Sequence, residues 1–173
     1  FEANGLSVFD VEELKTHGGS LRVYAQRSDT GQQPTCPAVS KLHNKEKTAG
    51  VNSLEYYKYF QDRAEKVKID LLDFLIKAKK DGKRTAAYGA AAKGNTMMNF
   101  SGIRPDLIGY VVDKNPSKQG KFMPGSRISI KKEQYLKDDK PDYIVILPWN
   151  LKQEVTKQLG YIKQWGGQFV FTV

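Results

Sequence analysis

The sequence predicts an α/β domain built on a doubly wound, mainly parallel sheet with flanking helices, preceded by a β-hairpin. Short apolar runs at 85–88, 107–112, 143–147 and 169–172 are separated by stretches that can hold crossover helices, as parallel strands require. A turn of small residues, Gly89-Ala90-Ala91-Ala92-Lys93-Gly94, follows the first of these runs. Residues 6–12 and 20–27 alternate apolar and polar positions, the period of a half-buried strand.

Taken in order, 6–12 and 20–27 make an antiparallel pair, too small to be stable alone. From 28 to 50 the composition turns to Gln, Pro, Thr, Lys and Asn without periodicity, which reads as a linker. A long helix then starts at Asn52 or Ser53, with Glu55 supporting its first turn. Leu54, Tyr57, Phe60, Ala64, Val67, Leu71, Leu75 and Ala78 give it one apolar stripe, and Asp81-Gly82 ends it. At 1.5 Å per residue such a helix reaches about 40 Å, longer than one small domain needs. Strand 85–88, the small-residue turn, helix 95–100 and strand 107–112 follow. Residues 128–130 read as a short third strand, and 132 onward as a helix. Strands 143–147 and 169–172 flank a helix over 151–165. The sum is a small Rossmann-like domain, in which ligands bind at the carboxyl ends of the strands.

Composition narrows the setting. The single cysteine, Cys36, forms no intrachain disulfide, and with His17 and His43 alone no zinc-ligand spacing exists, so a reduced, cytoplasmic location is expected and no metal site. No apolar run is long enough for a membrane helix, and the first residues lack the pattern of a signal peptide. Opening without methionine, the chain reads as an excised fragment. The net charge of +9 favours anionic partners. The basic residues are spread out, however, and the densest group, Lys77, Lys79, Lys80, Lys83 and Arg84, sits at a helix end where cations suit the dipole. No nucleic-acid recognition motif accompanies the charge, so neither nucleic acid nor membrane is an expected partner.

The spacing Gly89, Ala91, Gly94 fits a dinucleotide fingerprint with alanine in place of the middle glycine, and Asp113 stands where a ribose-binding acid is expected. Alanine there limits the approach of a pyrophosphate. The turn therefore equally suits a mononucleotide, a nucleotide-sugar or coenzyme A, and the same glycines would also serve strand–helix packing alone. A triphosphate-binding loop fits worse, because Lys93 precedes the second glycine. In a parallel sheet the turns after 88, 112 and 147 open on one edge. That edge collects Gly89, Lys93, Gly94, Asn95 and Thr96, then Asp113, Asn115 and Lys118, then Trp149 and Asn150. Lysines and backbone amides there would hold phosphate, Asp113 or Asn115 a ribose, and Trp149 a base or sugar. Asp113-Lys114-Asn115-Pro116 is equally a good turn, Asn150 a helix cap, and Trp149 a core residue. Outside this edge, His17 followed by Gly18-Gly19 is the one candidate proton acceptor, and a turn histidine is also commonly just solvated.

The segments Glu12-Glu13-Leu14-Lys15-Thr16-His17-Gly18-Gly19-Ser20-Leu21-Arg22, 88–96, 106–125 and 141–150 together resemble the C-terminal part of the S-adenosylmethionine-dependent sugar C-methyltransferases, which act on nucleotide-linked deoxysugars. The resemblance covers nearly the whole chain. It implies a zinc-binding N-terminal domain and a methyltransferase domain holding S-adenosylmethionine, both outside most of these residues, with the Rossmann-like domain completing the sugar-nucleotide site. Residues 1–28 are then the terminal hairpin of the methyltransferase domain, 29–50 a linker, and 51–173 the Rossmann-like domain. The implied reaction removes the proton beside the keto group of a 4-keto-deoxysugar, and the enolate attacks the sulfonium methyl. His17 matches the family's histidine before Gly-Gly-Ser, a base or substrate contact. The residues present would be inactive alone, with the methyltransferase domain as their partner in cis. A non-catalytic nucleotide- or coenzyme-A-binding module is the alternative. A nicotinamide-dependent reductase is disfavoured by Ala91.

Overall fold

A computed structural model describes residues 1–172, and the side chain of His17 lies outside the described residues. The chain forms two compact units, Phe1–Gln61 and Asp62–Val173.

In the first unit, β1 (Leu6–Leu14) and β2 (Ser20–Arg27) pair antiparallel from Leu6↔Arg27 to Leu14↔Ser20, with a bulge between Val8 and Asp10. A 3-10 turn, Thr16–Gly18, joins them, and Gly18 and Gly19 take the positive φ values (84° and 118°) that glycine tolerates. Within the segment expected to be a linker, Pro37–Ala49 forms a helix, α1. Proline in its first turn and Gly50 in the left-handed conformation punctuate its two ends. Its backbone entry is tied down by the Cys36 N–H donating to the Phe9 carbonyl at 2.7 Å. Only half-buried positions such as Val39 and Leu42 face inward, which is why no apolar stripe announced it.

The expected continuous helix is instead α2 (Leu54–Tyr57), capped by the Ser53 hydroxyl, and α3 (Phe60–Lys80). The break falls among Tyr56, Tyr57, Tyr59 and Phe60, which are all exposed. Aromatics favour helix weakly, and no burial offsets that here.

In the second unit, α3 buries Leu71, Leu75 and Ala78 at helical spacing. Then come β3 (Thr85–Tyr88), α4 (Ala92–Phe100), β4 (Val111–Val112), β5 (Ile130–Lys131), α5 (Tyr135–Asp139), β6 (Tyr143–Ile146), α6 (Lys152–Gln158) and β7 (Gln168–Phe171). The sheet is five-stranded in the order β5-β4-β3-β6-β7, and every pair is parallel. The α/β fold with its N-terminal hairpin is thus as the sequence predicts.

β4 is shorter than the apolar run 107–112 because the Leu107 and Ile108 N–H groups both donate to the Arg104 carbonyl, forming a turn outside the ladder. The run 151–165 splits at Gly160, after which the chain continues as a 3-10 turn, Gly160–Trp165. Alternation along the strands divides the core. Ala87, Val111 and Val145 pack with Leu75 and Met98 on one face, while Ala86, Val112, Ile144 and Ile146 pack with Leu136, Val155 and Leu159 on the other. Burying the strands on both faces demands near-continuous apolar runs, the pattern seen.

Candidate functional site

The sheet order reverses at β3, whose chain leaves toward β4 while β6 lies on its other side. Loops diverge at such a point and leave a crevice at the strands' carboxyl ends. The turn after β3 occupies it. Gly89 has φ +87°, and a Cβ there would lie 2.6 Å from the Pro148 Cδ, so the turn and the loop after β6 meet in contact only glycine permits. At Gly94 a Cβ would lie 2.5 Å from the Leu147 Cβ, so this glycine seats α4 against the end of β6. Ala91 is the extended residue that opens α4, and no side chain caps the helix. Its first-turn N–H groups carry the partial positive charge of the helix start.

Asp113, only 9% exposed, reaches back across the edge. Its Oδ2 accepts from the Ala90 N–H at 2.7 Å and the Lys118 ammonium at 3.3 Å, and its Oδ1 from the Asn115 N–H at 2.8 Å. Lys118 also donates to the Ala90 carbonyl at 2.9 Å, and the Gln119 amide donates to the Asp113 carbonyl at 2.9 Å. Asp113 and Lys118 therefore brace the turns after β3 and β4 against each other. Asn115 closes its own turn, its Oδ1 accepting from the Ser117 N–H (3.0 Å) and hydroxyl (2.8 Å).

On the β6 side, the Lys93 ammonium lies 5.9 Å from the centre of the Trp149 ring, within cation–π range. Trp149 is half-buried and Asn150 exposed, both in the 3-10 turn Trp149–Leu151, and the residue preceding α6 is Leu151. The Thr96 hydroxyl donates to the Ala92 carbonyl at 3.2 Å, within α4. Asn95 has a buried Oδ1 with no hydrogen-bond partner among the described residues. The edge thus gathers the glycine turn, Asp113 to Lys118, Trp149 and Asn150. His17 belongs to the turn Thr16–Gly18 of the first unit, with its side chain outside the described residues.

A cleft of about 470 Å³ opens at the same edge, lined by Ala90, Ala91, Ala92, Asn95 and Lys118 together with Lys121, Phe122, Met123 and Pro124. The last four were not foreseen, since Lys121-Phe122-Met123-Pro124 lies in a stretch whose composition reads only as turn. On the other sheet face the buried Tyr88 hydroxyl accepts from the Gln158 amide at 2.7 Å, and burial raises the phenol's pKa.

The basic cluster at 77–84 lies away from this edge, leading into the amino end of β3. Three of its cations are paired: Lys79 with Asp106 at 3.6 Å, Lys83 with Asp142 at 3.1 Å and Arg84 with Asp139 at 2.9 Å. The Arg84 N–H, then Lys83, hold the Asp142 carboxyl below its ordinary range. Among the described residues no group of three or more His, Cys, Asp or Glu could hold a metal ion, and no helix is long and apolar enough to cross a membrane.

A parallel sheet whose order reverses at β3, with a glycine turn at that switch point, defines a Rossmann-like class of domain. Residues 15–173 match the family described as the C-methyltransferase C-terminal domain, and the chain belongs to that family. Over all 173 residues it is 32% identical to the C-methyltransferase NovU of Streptomyces niveus, of whose length it spans 41%.

Proposed function

We propose that this chain is the substrate-holding part of an S-adenosylmethionine-dependent C-methyltransferase that methylates a nucleotide-linked keto-deoxysugar. One observation carries the reading: an uncapped helix start, Lys93 and the Gly89 turn meet at the switch point of a parallel sheet. The amides of Ala92, Lys93 and Gly94, with the Lys93 charge, take the diphosphate. Asn115 and Lys118 at the rim meet the ribose, because Asp113 is committed to Ala90 and Asn115. Trp149 and Asn150 receive the sugar, with Asn95 and Thr96 behind the phosphate turn.

S-adenosylmethionine supplies an electrophilic methyl group. In this reading the groups at this edge that could meet a nucleotide are taken by the sugar nucleotide, and Asp113 is turned onto backbone amides and Lys118. The cofactor site is therefore assigned to a methyltransferase domain elsewhere in a longer polypeptide, with zinc in a further N-terminal domain. The hairpin 1–28 belongs with that methyltransferase domain, 29–50 joins the two, and 51–173 is the substrate-holding domain. His17 is the base that takes the proton beside the keto group, and the present chain alone is inactive. Calorimetry separates this from other readings: a nucleoside diphosphate should bind the chain and S-adenosylmethionine should not. Micromolar cofactor binding without nucleotide binding would overturn the assignment.

A further inference from the structure

The cleft beside the phosphate turn has the size of a small-molecule site. Its lining is largely apolar and comes mainly from 90–92 with Asn95 and from 121–124, with Ser117, Lys118 and Ile130 completing it. Phe122, 64% exposed, is its most exposed large apolar side chain. Isolated exposed aromatics are common on protein surfaces. This one sits on backbone that is held on both sides. Phe122 bridges Ser129, the Met123 N–H donates to the Ile128 carbonyl at 2.8 Å, and the Ile130 N–H donates to the Lys121 carbonyl at 2.8 Å. The Asn99 amide adds a bond to the Pro124 carbonyl at 2.9 Å. A ring on fixed backbone stacks a planar partner without first being ordered. Asn95, whose Oδ1 is buried and unpartnered among the described residues, adds an unmet acceptor at the cleft, and rotation about its broad terminal torsion turns the amide toward an entering ligand.

We propose that this cleft is the nucleobase slot of the site, with Phe122 stacking on the base and the Asn95 amide bonding its edge. The proposal rests on the reading that the same edge takes a nucleotide-linked ligand, and it fixes that ligand's direction. With the diphosphate on the first turn of α4, the base lies on the β4–β5 side and the sugar points past Lys93 to Trp149. Trp149 is then a sugar contact and not a base contact.

The test measures binding of UDP, ADP and inorganic pyrophosphate to the 173-residue chain and to Phe122→Ala. Exposure of Phe122 lets the variant fold, and a matching circular dichroism spectrum checks that it has. Loss of one base–aromatic stack should weaken both nucleoside diphosphates about 5- to 150-fold and leave pyrophosphate unchanged. Nucleotides that bind Phe122→Ala as tightly as the parent overturn the slot while leaving the phosphate turn intact. Equal weakening of pyrophosphate also overturns it, and a parent chain that binds none of the three overturns slot and phosphate turn together.

Discussion

Asp113→Asn distinguishes a carboxylate that holds the site together from one that binds a ribose. The Asp113 side chain is 12% exposed and its two oxygens serve separate partners, Ala90 N–H at 2.7 Å and Asn115 N–H at 2.8 Å. Asparagine keeps one oxygen, so one of those backbone donors faces an amide N–H₂ and is left unsatisfied. A hydrogen bond to a charged group contributes about 1.5–3 kcal/mol. The Lys118 pair adds little, since the lysine side chain is 41% exposed and solvent-exposed pairs give about 0–1 kcal/mol. The expected loss of stability is about 2–4 kcal/mol, without any ligand present. Urea unfolding followed by tryptophan fluorescence reads it cleanly, because Trp149 and Trp165, the chain's two tryptophans, both lie in Asp62–Val173. A midpoint unchanged from the parent, with only nucleotide affinity reduced, would refute the bracing role and restore Asp113 as a ribose contact.

Gly94→Ala places a methyl against Leu147, and the overpacking should destabilise Asp62–Val173 by about 1–3 kcal/mol in the same urea assay. Stability should also fall in alkali. Burial raises the phenols of Tyr88, Tyr110 and Tyr161, and the Tyr110 hydroxyl additionally donates to Asp139 at 2.9 Å. Folding keeps these groups protonated, so their contribution is whole below the unfolded phenol pKa of about 10 and is lost as pH rises from there toward the folded values. Thermal melts across that window should show a shallower decline for Tyr110→Phe than for the parent. In a longer polypeptide that carries the methyltransferase domain, His17→Ala should slow the chemical step about a hundred- to ten-thousand-fold while sparing cofactor affinity. Single-turnover kinetics would return His17 to an ordinary turn residue if that rate were unchanged.

What the sequence discloses and what it hides follow from the range of the interactions. The glycine turn is readable because each constraint leaves its mark on a single residue: a positive φ at Gly89 and a close approach to Leu147 at Gly94 admit little but glycine. The parallel sheet is readable because strands buried on both faces must be apolar throughout. Helix α1 escaped because its half-buried positions are few and interrupted by Lys and Asn, leaving its proline and glycine ends as the only marks. Asp113 stands where a ribose acid is expected, yet its partner Ala90 is 23 residues away, and no local pattern reveals that bond. The basic stretch 77–84 looked like a charge cluster until Asp106, Asp139 and Asp142 arrived through the fold. The wall from Lys121 to Pro124 is hidden for the same reason, being turn-like in composition and a cleft lining only in three dimensions.

Backbone amide chemical shifts followed during titration with a nucleoside diphosphate report residue by residue where the ligand sits. The largest changes are expected at Gly89 to Thr96, with further changes at Asp113 to Lys118 and at Trp149 and Asn150, the segments gathered at the carboxyl edge of the sheet. Changes confined to Lys77 through Arg84, at the opposite edge, would mean nonspecific attraction between charges and would contradict a nucleotide site at the carboxyl edge.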